Sequence, residues 1–268
     1  MKTVPQFTPA RYRAIWLSDV HLGYLGCKAE YLLDFLKSTD SEVLYLLGDI
    51  VDIWSMKRTV YWPQLHNDIL RIILAKAKHG TRVIYVPGNH DEQFRDFSGS
   101  VFGNIEIHRE YIHQTPQGLC YLMQHGDEYD DIMQGGRLNK FVGNLGYDLL
   151  MYLNRKFNKL RRSLGFCYWS LASYLKNKVK NAVAHTRQFE QLVANGANKR
   201  GFDGVVCGHI HQAEIRKIDE VLYCNCGDWV ENCTALVEHQ EGNLEILHWS
   251  EKRETVRSLP TLTQPVAA

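Results

Sequence analysis

Glu42-Val-Leu-Tyr-Leu-Leu47-Gly48-Asp49-Ile-Val-Asp52 decides the reading of this chain. The apolar run is too short for an ordinary helix and reads as a buried strand. It stops at a glycine, which lets the backbone turn sharply and approach a ligand closely. Two carboxylates follow at once. The same design recurs on both sides of this stretch. Arg13-Ala-Ile-Trp-Leu17 runs into Asp19-Val-His21, and Thr81-Arg-Val-Ile-Tyr-Val86 runs into Gly88-Asn89-His90-Asp91. Leu119 to Gln124 runs into His125-Gly-Asp127, and Asp203-Gly-Val-Val-Cys207 runs into Gly208-His209-Ile-His211. Strand ends in α/β sheets are where ligands collect.

Between these blocks the periodicity changes. Tyr31, Leu32, Phe35 and Leu36 have helical spacing within Lys28 to Lys37. Trp62 to Lys78 is amphipathic, and Gly80 supplies a C-terminal stop. A short strand is expected at Ile105 to Ile107, and three β regions at Ala213 to Ile218, Val221 to Asn225 and Thr234 to Trp249. Early strand–helix alternation followed by consecutive strands predicts an α/β fold, a two-sheet β-sandwich flanked by helices. Residues 132–197 read as a helical insertion forming a cap. The core would then be 1–131 with 198–250, and the polar, Pro-containing tail 251–268 is expected to be disordered.

The 268 residues, 45% hydrophobic and 23% charged, suit one large domain carrying an insertion. Seven cysteines, an odd number with no CxxC pair, read as buried reduced thiols in a reducing compartment. Met1 to Pro9 has no apolar signal-peptide core, and no stretch approaches the roughly 18 apolar residues of a membrane span. The expectation is a cytoplasmic protein, free to sit peripherally on a membrane surface. A net charge of +1 hides an asymmetry: Ile132 to Arg200 holds 13 Lys or Arg against two acids, a net +11, which leaves −10 for the remainder. Such a split points to an anionic partner.

One strand-end Asp or His is weak, because most are surface or core residues. Five such blocks in succession are specific. Carboxylate and imidazole ligands suit manganese, iron or zinc. Two such ions about 3.5–4 Å apart can clamp a phosphoryl group and activate water, with one carboxylate bridging them.

The order DxH, GDxxD, GNHD, HGD and GHxH resembles the calcineurin-like metallophosphoesterases over roughly residues 13–240. The resemblance implies Asp19, His21, Asp49 and His211 at one divalent metal, with Asp49 bridging to a second held by Asn89, His125 and His209. It implies His90 beside the phosphate, as transition-state stabiliser or proton donor to the leaving group. Asp91 would support His90 by orienting it, and Asp52 would act from behind the ligands. Ser18-Asp-Val-His-Leu-Gly23, Gly48-Asp-Ile-Val-Asp-Ile-Trp54, Gln124-His-Gly-Asp-Glu-Tyr-Asp130 and Cys226-Gly-Asp-Trp229 further resemble the UDP-2,3-diacylglucosamine diphosphatases of lipid A synthesis. In those enzymes a helical insertion at this place forms a lid over acyl chains. They carry Arg where this chain has His90, a departure that keeps other phosphorylated substrates open: cyclic nucleotides, nucleotides or phosphoproteins.

The insertion supports an amphiphile independently. Leu145, Leu149, Leu150, Leu153 and Phe157 recur at helical spacing among Arg155, Lys156, Lys159, Arg161 and Arg162. A basic helix with apolar and aromatic residues at one boundary suits an anionic membrane surface. Nucleic acid is the weaker alternative, since no binding module accompanies the charge. A non-catalytic scaffold of the same fold would be expected to have lost ligands, and here every motif position is filled.

Overall fold

The computed structural model describes residues 9–130, 158, 161 and 180–250. The greater part of the predicted insertion, Cys167 and the 251–268 tail lie outside these residues. The first half of the chain runs β1 (Ala10–Leu17), α1 (Ala29–Ser38), β2 (Thr39–Leu47), α2 (Ile53–Arg58), α3 (Gln64–Lys78) and β3 (Arg82–Val86). Next come β4 (Val101–Phe102), β5 (Ile105–Ile107), β6 (Tyr111–Gln114) and β7 (Cys120–Met123). The remainder is α4 (Lys180–Lys199), β8 (Gly204–Cys207), β9 (Glu214–Ile218), β10 (Val221–Asn225), β11 (Thr234–Glu238) and β12 (Leu244–His248).

Two mixed sheets stack face to face, as the α/β sandwich reading expected. One has seven strands in the order β12-β11-β1-β2-β3-β5-β4; the other has five, β6-β7-β8-β10-β9. Period-two alternation sorts the side chains of β1. Ala14 and Trp16 face the second sheet with Tyr45, Leu47, Ile84, Met123, Val206 and Leu236. Ile15 and Leu17 face α1 and α3 through Phe35, Leu36, Ile69 and Ile73. On the outer face of the second sheet, Phe189, Val193, Ala194 and Ala197 of α4 pack over Leu122, Val205 and Tyr223. The last turns of α4, assigned from sequence to the cap at 132–197, therefore belong to a core layer. Trp16 anchors the centre, fully buried and stacked on Tyr45 at 5.3 Å, with its Nε1–H on Met123 Sδ. Truncating a buried Trp to Ala costs about 3–5 kcal/mol.

Register levels the strand ends. Leu17 pairs with Leu46, and Leu47 with Val86; in the other sheet Met123 pairs with Val206, and Val206 with Cys224. The five polar blocks thus emerge on one rim. α3 stops as its sequence foretold: Gly80 takes φ +105° and the Thr81 N–H closes on the Lys76 carbonyl at 3.0 Å. Some elements differ from the reading. α2 was not anticipated, because six residues carry too little periodicity. Thr234 to Trp249 resolves into the hairpin β11–β12. Cys207, Cys224, Cys226 and Cys233 are buried free thiols, while Cys27 and Cys120 are partly buried. Among the described residues no helix is long and apolar enough to cross a membrane.

Candidate metal centre

Every block places its polar residues immediately after a strand, and the backbone there is unusual. Asp19, His21, Asp49, His209 and His211 all have positive φ, between 51° and 69°. Non-glycine residues adopt this left-handed region at a steric cost, and such residues cluster at functional sites. The turns hold because neighbouring backbone pins them: Asp19 N–H to Gly48 O at 3.1 Å and His21 N–H to Asp49 O at 2.8 Å. Gly48 and Gly208 permit the crowding. A side chain at Gly48 would run into the His125 ring, and one at Gly208 into Asp19 and Ser18.

Three overlapping groups of ligand-type atoms result: Asp19, His21 and His211; His21, Asp49 and His90; and Asp49, His125 and His209. Within each group the atoms lie within 4.8 Å of one another. Asp49 Oδ2 is the hub, 3.4 Å from His125 Nε2 and 3.9 Å from both His21 Nε2 and His90 Nε2. His211 Nε2 lies 3.1 Å from Asp19 Oδ1. Asp49 Oδ1 accepts the His90 N–H at 2.8 Å, and Asp19 Oδ2 accepts the His209 N–H at 2.9 Å.

The rings are held from behind. A carboxylate or carbonyl oxygen only accepts, so the nitrogen facing it must donate. His21 Nδ1 therefore donates to Asp52 Oδ2 at 3.0 Å, and His125 Nδ1 to the Leu47 carbonyl at 2.9 Å. Their Nε2 atoms face Asp49 Oδ2. This is the arrangement by which metal-ligating histidines are oriented. His21 Nε2, Asn89 Oδ1 and His211 Nδ1 are buried with no hydrogen-bond partner, and Asp19 Oδ1 and His125 Nε2 meet only an ion-pair contact, to His211 Nε2 at 3.1 Å and to Asp49 Oδ2 at 3.4 Å. Buried polar atoms are otherwise nearly always paired. A site so rich in orphaned oxygen and imidazole donors fits divalent cations.

Electrostatics agree. Burial works against a charged His21, but Asp52, Asp49 and Asp19 raise its pKa to about 9. Burial works against a charged Asp19 too, yet His211 and His125 lower it to about 2. Asp49 is held well below the carboxylate range against its burial by His125, His21 and His90. His125 is raised well above its usual value, its burial outweighed by Asp49. The pocket thus stabilises positive charge at its centre.

The expectation that Asp91 orients His90 is corrected. The His90 ring meets Asp52 instead, Nδ1 to Oδ1 at 3.0 Å. Asp91 is fully buried and accepts the N–H groups of Gly88, Ile50, Asp49 and Val51 and the Tyr85 hydroxyl. It staples the GNHD turn to the GDxxD turn. Adjacency in sequence pointed to Asp91; the fold brings Asp52 to the ring from a different loop. Two further residues escaped the sequence reading. Asp130 Oδ1 lies 2.9 Å from His209 Nε2. Arg95 ties the Pro87 carbonyl to Asp127 at 2.6 Å, bracing two of the blocks. Asp130 was visible as the last residue of His125-Gly-Asp-Glu-Tyr-Asp130; Arg95 carried no signal.

No curated protein matches this chain. Among solved structures it is similar to an archaeal phosphodiesterase (14% identity, TM-score 0.42, covering 87% of this chain and 98% of that one). It is also similar to Yfce, a phosphoesterase from E. coli (12%, 0.42, 88% and 98%), and to Vps29 complexed with zinc from Entamoeba histolytica (11%, 0.40, 88% and 98%). Likenesses this distant do not bear on activity. The family profile of calcineurin-like phosphoesterases matches residues 12–213, which span all five blocks. By that match, the chain belongs to the calcineurin-like phosphoesterases.

Proposed function

We propose that this protein is a dinuclear-metal hydrolase of a phosphoester or diphosphate bond, and that its substrate is a lipid-linked nucleotide like UDP-2,3-diacylglucosamine. The first half is carried by Asp49 Oδ2, which sits among three imidazole Nε2 atoms at 3.4–3.9 Å. The second half rests on the four sequence motifs shared with the lipid A diphosphatases and on the basic, apolar insertion. In that reading the insertion holds the acyl chains and meets an anionic membrane face from the cytoplasmic side.

Asp19, His21, Asp49 and His211 would hold one divalent ion, and Asp49, Asn89, His125 and His209 the other, with manganese the first choice. Bound there, the ions supply Lewis acidity to the phosphoryl group and a lowered pKa to water. The remaining work falls to side chains. Asp52 Oδ1 accepts a hydrogen bond from the His90 Nδ1–H, so Nε2 faces the reaction centre. With both ring nitrogens protonated, Nε2 can hydrogen-bond a phosphoryl oxygen or hand its proton to the leaving oxygen. Asp91 and Arg95 keep the loops that carry Asp49, His90 and His125 in register.

The test is hydrolysis by metal-stripped protein reloaded with manganese, iron or zinc. Substrates are diacylated UDP-glucosamine, its deacylated form, a cyclic nucleotide and bis-p-nitrophenyl phosphate. Metal-dependent cleavage is expected, fastest on the diacylated compound, and about 10²–10⁴-fold slower in His90→Ala. Equal rates with and without acyl chains would remove the lipid half and leave a generic hydrolase. Failure to retain metal or to cleave any substrate would remove both. His90, standing where the lipid A enzymes carry Arg, favours one second reading: the same chemistry on a different phosphorylated substrate. The cyclic-nucleotide arm addresses it.

A further inference from the structure

We infer that Trp54 is a positioning residue for His90; this rests on the hydrolase reading above. Trp54 is the second residue of α2, a helix that buries none of its side chains, and is 38% exposed. It takes no part in the cores on either side of the sheets. Its ring lies against the His90 ring instead, centroids 4.4 Å apart and planes tilted by 33°.

The other restraints on His90 show what this contact adds. The backbone is fixed at both ends: its N–H donates to Asp49 Oδ1 at 2.8 Å, and its carbonyl accepts the Ile53 N–H at 3.1 Å. Asp52 selects which ring nitrogen turns inward. The His21 ring meets His90 edge-on at 4.7 Å and 88°. One hydrogen bond and one edge contact do not stop a side chain that is 25% exposed from tipping outward. Tipping would carry Nε2 away from Asp49 Oδ2, now 3.9 Å distant. Trp54 covers one face of the ring with an aromatic surface 4.4 Å away, which limits the room for this motion. An aromatic face also tolerates the imidazole in either protonation state, unlike a charged neighbour. Asp52 caps the N-terminus of α2 by accepting the Ser55 N–H at 2.7 Å, and α2 begins on the His90 carbonyl. Clamp and clamped residue therefore move as one unit.

Two measurements test this. The first is a double-mutant cycle on bis-p-nitrophenyl phosphate with manganese-loaded protein. Trp54→Ala should lower kcat about 3- to 10-fold, the range an aromatic contact commands, and leave KM within about twofold. Trp54→Phe should recover most of the loss. In a His90→Gln background the Trp54→Ala loss should vanish, since the residue then has nothing to position. An equal loss in both backgrounds would overturn the assignment, because Trp54 would be acting on substrate or fold. The second measurement needs no turnover. In the NMR spectrum of the protein, the His90 ring protons should be shifted upfield by Trp54 and show cross-peaks to His21. Trp54→Ala should remove the shift and weaken the cross-peaks. Undiminished cross-peaks would overturn the clamp even if the hydrolase reading stands. Weakened cross-peaks in a protein that cleaves nothing would retain the clamp while the hydrolase reading falls.

Discussion

Charge is buried between the two sheets at both ends of the sandwich, and the two ends treat it oppositely. Near the start of β1, Arg13 pairs with Glu238 of β11, and His113 of β6 sits between Glu238 Oε2 at 3.0 Å and the Tyr45 hydroxyl at 2.9 Å. Arg13 also donates to the Gln114 carbonyl at 2.8 Å. That cluster joins four strands across both sheets and satisfies itself, with Glu238 Oε1 left over. At the other end, beyond Leu17, Leu47 and Val86, His21, Asn89 and His211 each present a buried atom with no hydrogen-bond partner. The far cluster pairs Arg13, His113 and Tyr45 within the chain. The near one gathers donors of the kind that hold divalent cations. Burial of charge alone is therefore no mark of function; convergence of ligand-type atoms on one carboxylate oxygen is.

The largest expected effect tests the far end. Glu238→Ala leaves Arg13 and His113 without their shared partner, and breaking a buried pair this way costs about 3–5 kcal/mol. Arg13 is a quarter exposed, so about 3 kcal/mol is the better expectation, a fall of roughly 6–12 °C in Tm. Hydrolysis per folded molecule, measured well below Tm, should be unchanged. A loss of turnover would mean that the two ends are coupled.

Next comes metal stabilisation. Manganese at about 100-fold over its Kd should stabilise stripped wild-type protein by about 2.7 kcal/mol. Calorimetry should show the rise in the Glu238→Ala variant too, and lose it in Asp49→Asn. If Asp49→Asn keeps the full rise, the hub has been misplaced.

Asp52→Asn sharpens the division of labour within the near end. One carboxylate orients both His21 and His90. Its loss should weaken metal affinity by about 10- to 100-fold, the usual cost of an outer-shell partner, and lower kcat at saturating metal. Asp91→Asn should act chiefly through stability. The reverse pattern would restore Asp91 as the group that orients His90.

The smallest effect is in pH. His21 has its folded pKa raised to about 9, so it binds its proton more tightly folded than unfolded. Its contribution is complete below its ordinary value of about 6.5 and is lost as pH rises toward 9. Metal-stripped protein should lose a few degrees of Tm across that window in thermal scans, and manganese should flatten the slope. A stripped protein indifferent to pH between 6.5 and 9 would contradict the raised value.

The sequence showed the strands and the polar turns after them, because apolar runs ended by glycine are local patterns. The near end was legible for the same reason: each ligand-type residue lies within a few positions of its strand. The far end was not legible at all. Arg13, Tyr45, His113 and Glu238 come from four strands with no motif around any of them, and only the stacking of the sheets brings them together. The exchange of roles between Asp52 and Asp91 failed to show for a related reason. Both neighbour catalytic-type residues in sequence, and which one meets the His90 ring depends on how two loops cross.

The left-handed turns at Asp19, His21, Asp49, His209 and His211 bear on the history a chain like this can have. Glycine at any of these positions would relieve the backbone, but it would also delete a side chain built into the network: Asp19 Oδ2 accepts the His209 N–H and Asp49 Oδ1 the His90 N–H. A lineage released from metal binding would therefore not drift freely toward glycine at these turns. Each such step would exchange torsional relief for a lost hydrogen bond or ion pair. A descendant that no longer bound metal would keep these turns for as long as that network of contacts held them.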